Sequence, residues 1–153
     1  MSTLRIVLAL AALAIPLGAN AAADSPSELP FVPEGSTRLR AYDARAAALV
    51  IAGIQRSPTL RAIADRIEHG DVIVYVGMQP LLRRDHLAGL LTWMTASNRF
   101  RYVRVSINSE LPEKTAIAAL GHELQHVLEV IGNPSIVDST SLESFYARHG
   151  ISM

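Results

Sequence analysis

Five consecutive β-branched or aromatic residues, Val72-Ile73-Val74-Tyr75-Val76, constrain this chain more than any other stretch. Side chains branched at Cβ fit a pleated strand better than a helix, so the run reads as a buried strand. Its flanks read otherwise. Ala41 to Gln55 is rich in Ala, Leu and Ile, with Asp43 in its first turn, and is expected to be a helix. Ser57-Pro58 restarts a helix, since serine can cap and proline fits the first helical position. That helix runs to Glu68 and stops at His69-Gly70. The expected fold is therefore α+β, with N-terminal helices on a small sheet.

The rest of the pattern completes this sheet. Leu87 to Thr95 is apolar and is followed by the turn Ala96-Ser97-Asn98. Phe100 to Ile107 alternates, with Val103, Val105 and Ile107 on one face and Tyr102, Arg104 and Ser106 on the other. The two segments read as a hairpin with one buried face, and Trp93 and Met94 are expected in the core. Gly77 to Asp85 connects the first strand to this hairpin. Pro112 then opens a helix whose Ile117, Leu120, Leu124, Leu128 and Ile131 recur every three or four residues. Gly132-Asn133-Pro134 ends it, and a short last helix starts near Ser139 or Ser141 and ends at His149-Gly150.

The N-terminus is of another kind. Arg5 is the only charge before Asp24 and precedes the apolar run Ile6 to Leu17, which is too short for the ~20 residues that span a bilayer. Ala19-Asn20-Ala21 and Ala21-Ala22-Ala23 fit a small-x-small cleavage site, so residues 1–23 read as a signal peptide and the protein as exported, periplasmic or secreted. Residues 24–38, with three prolines, read as an extended leader, and residues 39–153 as one domain. No membrane span is expected after cleavage.

Composition narrows the chemistry. Lys+Arg and Asp+Glu each number 14 in 153 residues, which gives no basic excess for a nucleic-acid partner. The absence of cysteine removes thiol nucleophiles, disulfides and Cys-ligated metals. Catalysis would rest on His, Asp, Glu, Ser or Tyr.

One constellation meets that requirement. Gly121-His122-Glu123-Leu124-Gln125-His126 lies inside the Pro112–Ile131 helix and contains His-Glu-x-x-His. Residues four apart share a helix face, so His122 and His126 can converge on one metal ion, zinc above all. Glu123 sits about 100° around the helix, placed to act on water at the metal as a general base. The histidines lie off the leucine stripe, and Thr115, Ala118 and Ala119 leave room beside them.

From about Asp71 to Tyr146 the chain resembles the zincin superfamily of zinc metallopeptidases, and also a group of small exported bacterial proteins of unassigned role that carry His-Glu-Leu-x-His. The resemblance implies His122 and His126 as zinc ligands, Glu123 as general base, a peptide or protein substrate, and Phe100–Ile107 as the substrate-facing edge strand. A third ligand six residues after the second histidine is ruled out, because Gly132 stands there. The gluzincin branch, with a glutamate from a later helix, implies Glu143, with Glu129 as rival. Glu129 is better placed to orient His126. Asp138 reads as a cap of the last helix or a more distant acceptor, and His149 is a further option. Tyr146 reads as a core residue or as a donor to an oxyanion. The alternative to an enzyme is a catalytically inactive zincin-like binding or structural protein that lacks the third ligand.

Overall fold

The computed structural model describes residues 36–80 and 87–149. Residues 1–35, which hold the expected signal peptide and most of the expected leader, Arg83-Arg84, His86, the side chain of His149 and residues 150–153 lie outside the described residues.

The chain folds in the order β1 (Leu39–Ala41), α1 (Ala44–Arg56), α2 (Pro58–Glu68), β2 (Val72–Gln79), β3 (Gly89–Ser97), β4 (Phe100–Asn108), α3 (Glu113–Gly132) and α4 (Ser139–His149). This is a mixed α+β architecture, as the pattern predicts. The four strands form one sheet in the order β1-β2-β4-β3. β1, β2 and β4 run parallel, and β3 returns antiparallel to β4.

Local chemistry explains the N-terminal elements. Asp43 caps α1 by accepting from the Ala46 N–H at 2.8 Å. Ser57 ends α1 through its own N–H and starts α2 by accepting from the Leu60 N–H at 3.1 Å, with Pro58 in the first turn. Leu39–Ala41, of which only Ala41 is expected in the first helix, forms a short strand parallel to β2. The Glu68 carboxylate anchors the approach to that strand. It accepts from the hydroxyls of Ser36 and Thr37 and from the N–H groups of Thr37, Arg38 and Leu39. Burial opposes the charge of Glu68, but these donors outweigh it and hold the carboxyl below its usual range.

One sheet face carries Leu39, Ala41, Val72, Val74, Val76, Leu91, Val103, Val105 and Ile107, all buried. Against it lie the apolar sides of α1 and α3, including Leu49, Val50, Leu120, Leu124 and Val127. Among the described residues no helix is long and apolar enough to cross a membrane.

Two expectations change. Phe100–Ile107 is not an edge strand, because β4 pairs with β2 on one side and β3 on the other; the edge beside α3 is β3. Parallel pairing of β2 with β4 places the intervening β3 outside. Met94 is not core. The register slips between Trp93 and Thr95, and the bulge leaves Met94 39% exposed while Trp93 packs against the core. Asn98, in the turn after β3, takes a left-handed φ of 56°, which asparagine tolerates better than most residues.

Arg101, at the start of β4, is only 6% exposed. Its guanidinium pairs with both Asp71 carboxylate oxygens, at 2.7 and 3.0 Å. It also donates to the carbonyls of Val130, Asn133 and Ile136 at 2.8, 2.9 and 3.2 Å. One buried cation thus ties the sheet to the carbonyl end of α3, where the helix dipole favours positive charge.

Candidate metal centre

The site is carried by the middle of α3. Leu120, Leu124, Val127 and Leu128 face the sheet, and this phase turns His122 outward and leaves His126 partly covered. Thr115 and Ala118, on the same flank, are exposed, and Ala119 is buried beneath them.

The imidazoles converge. His122 Nε2 and His126 Nε2 are 3.2 Å apart, within hydrogen-bonding distance of each other, with the rings edge to face. Two nitrogens bound tetrahedrally to zinc at 2.0–2.1 Å would stand about 3.3 Å apart, so the pair has the separation that a shared ion requires. The tautomer of His126 is fixed as well. Its Nδ1–H donates to Glu129 Oε2 at 2.8 Å, which leaves the Nε2 lone pair aimed at His122. Glu129 therefore holds the ring of His126.

Glu123 points from the same helix toward β3 and is 7% exposed. Burial pushes its carboxyl up, while the two histidines pull it down. The close approach of β3 is possible because residue 89 is glycine. A Cβ there would stand 2.6 Å from Glu123 Cγ and 2.7 Å from Oε1.

Helix α4 supplies a tyrosine to the site. Asp138 caps this helix, accepting from the Ser141 N–H at 2.7 Å. Leu142 and Tyr146, one turn apart, become buried, and the Tyr146 ring packs edge-on against His126 at 5.1 Å. The Tyr146 hydroxyl is buried without hydrogen-bond geometry to any described residue, although it feels the Glu129 carboxylate. Burial first, then Glu129 and Glu123, push its pKa far up, so the phenol keeps its proton.

The structure thus groups His122, Glu123, His126, Glu129 and Tyr146. Glu143 lies one residue beyond Leu142 and is exposed. Among the described residues no group of three or more His, Asp or Glu is gathered to hold a metal ion. Asp138 serves as a cap, and His69 is exposed, with its Nδ1 at 2.8 Å from the Asp65 carbonyl. Sequence reasoning missed Gly89 and Arg101. Arg101 was within reach, since it shares the two-residue phase of Val103, Val105 and Ile107; nothing marked Gly89. No protein-family model, curated protein or solved structure matches the chain.

Proposed function

We propose that this chain is an exported, zincin-like zinc metallopeptidase that hydrolyses peptide bonds. The observation that carries the reading is the 3.2 Å approach of two Nε2 atoms on one helix face, with a buried glutamate between them in sequence. His122 and His126 would hold the ion, and zinc, when bound, supplies a Lewis acid that acidifies water and polarises a carbonyl. Glu123 takes the proton of the attacking water on its carboxylate and passes it to the leaving amine. Glu129 keeps His126 in the tautomer that presents Nε2. The Tyr146 hydroxyl, protonated and close to the Glu129 carboxylate, is a potential donor beside His126. A catalytic zinc takes three protein ligands. Glu143 is the proposed third, with Glu129, which holds His126 Nδ1–H in this structure, as rival.

A second reading is an inactive binding or structural module. It rests on the rotation of α4, which gives His126 the ring of Tyr146 and leaves Glu143 exposed. One experiment separates the two: cleavage of a fluorogenic peptide library by the zinc-loaded protein and by Glu123→Gln. The peptidase reading predicts turnover lost by at least about 100-fold in the variant, the scale of a general base. No stoichiometric zinc at saturating supply, with no turnover in either protein, would favour the second reading.

A further inference from the structure

The sheet face turned away from α1 and α3 has a chemistry of its own. Arg38, Arg40 and Tyr42 alternate with buried Leu39 and Ala41, and Tyr102 and Arg104 alternate with buried Val103 and Val105. Register places Arg40 beside Tyr75, and Tyr75 beside Arg104. Each guanidinium lies over a ring: Arg38 over Phe100 at 4.5 Å, Arg104 over Tyr42 at 4.9 Å and Arg40 over Tyr75 at 5.6 Å. Tyr42 and Tyr75 also stack on each other at 5.1 Å.

Nothing acidic answers these cations. The four strands contain no Asp or Glu. Asp43 lines a cavity with Tyr42 and Arg104 but caps α1 and makes no ion pair with any described residue, Glu68 binds the N–H groups before β1, and Asp71 pairs with Arg101. Among the described residues Arg38, Arg40, Arg99 and Arg104 make no ion pair. The Nε of Arg104 is buried with no hydrogen-bond partner. A cluster of like charges without counter-charge calls for an anionic partner.

We infer that this face docks on the headgroup surface of an anionic phospholipid bilayer. Three observations select that partner. The surface is a sheet face and offers no projecting helix or ribbon to enter a duplex groove. The rings of Tyr42, Tyr75 and Phe100 are each in contact with a guanidinium, and Tyr42 and Tyr75 stack on each other, so they are poor platforms for bases of a single strand. Its chemistry, arginine and tyrosine beside the exposed Met94 on the neighbouring edge strand, matches the polar–apolar boundary of a bilayer. The chain as a whole is neutral, so attraction is local and fades with salt. This inference is independent of the peptidase reading.

The test is co-sedimentation of the full chain with vesicles of phosphatidylcholine alone, or of equal parts phosphatidylcholine and phosphatidylglycerol, at low and high salt. Binding to the anionic vesicles is expected at low salt only. Each arginine near such a surface is worth about fivefold, so joint substitution Arg38→Gln, Arg40→Gln and Arg104→Gln weakens binding about 100-fold. Joint substitution Arg61→Gln, Arg66→Gln and Lys114→Gln, with the same charge change elsewhere, leaves it intact. Circular dichroism checks the fold, and if the triple variant does not fold, Arg40→Gln alone is expected to cost about fivefold. No preference for anionic vesicles, equal losses in both triple variants, no loss in a folded Arg40→Gln variant, or tighter binding to oligothymidylate or polyglutamate than to vesicles overturns the inference.

Discussion

Replacing Arg101 by methionine tests how α3, and with it the candidate metal centre, is held against the sheet. Methionine keeps much of the apolar stem but removes the guanidinium, which makes two hydrogen bonds to Asp71 and three to the carbonyls of Val130, Asn133 and Ile136. Breaking a buried ion pair from one side costs about 3–5 kcal/mol. Asp71 is about half exposed and can recover water, which favours the lower end. The carbonyls of Val130 and Ile136 belong to buried residues, and each acceptor left without a donor adds about 1 kcal/mol or more. We therefore expect a loss of about 5 kcal/mol in urea unfolding, with a fall in Tm of roughly 15–30 °C. Asp71→Asn leaves the buried guanidinium without its counter-charge, though with its carbonyl acceptors, and should cost about 3 kcal/mol. A loss below about 1 kcal/mol for Arg101→Met, where an ordinary surface substitution falls, would refute the view that this cation anchors α3.

Three further outcomes follow from the geometry. Gly89→Ala places a methyl group 2.6 Å from Glu123 Cγ, so overpacking should cost about 1–3 kcal/mol and displace the carboxylate, visible in a crystal structure of the variant; an unmoved Glu123 would contradict the packing described. The folded pKa of Glu68 lies below its unfolded value near 4.5, so the unfolded chain binds the extra proton. Its contribution is complete above that value and lost as pH falls through the folded pKa, so Glu68→Gln should flatten the acid limb of stability below about pH 5, as thermal melts across pH would record. Glu129→Gln, which weakens the hold on His126 Nδ1–H, should lower zinc affinity about 10–100-fold in a competition titration with a chelator, without unfolding the protein.

What the sequence revealed and what it hid divide by the range of the interactions. Ser57-Pro58 located the α1–α2 junction because capping is settled within four residues. The His-Glu-x-x-His helix was equally legible, since its leucine stripe and its Gly-Asn-Pro stop are local. The sheet order was not. Whether β4 is an edge or a centre depends on its pairing with β2, set by contacts across about 30 residues, and no local pattern encodes it. β1 goes unmarked because three residues are too few to show alternation, and the approach to it is anchored by Glu68 at a distance. Within the site, Glu143 and Tyr146 stand on one helix, and the burial of Leu142 decided which of them faces His126. Composition hid the outer sheet face, because overall neutrality averages the helices with strands that carry arginine and no acid.

The central claim is that His122 and His126 form a zinc site, and direct titration tests it. Purified metal-free protein is titrated with zinc by calorimetry, and bound metal is counted by mass spectrometry, alongside His122→Ala and His126→Ala. The account predicts one zinc per chain in the parent and binding at least about 100-fold weaker in either variant, each retaining the parent fold. A parent that takes up no stoichiometric zinc at saturating supply, or variants that bind it as well as the parent, would contradict it.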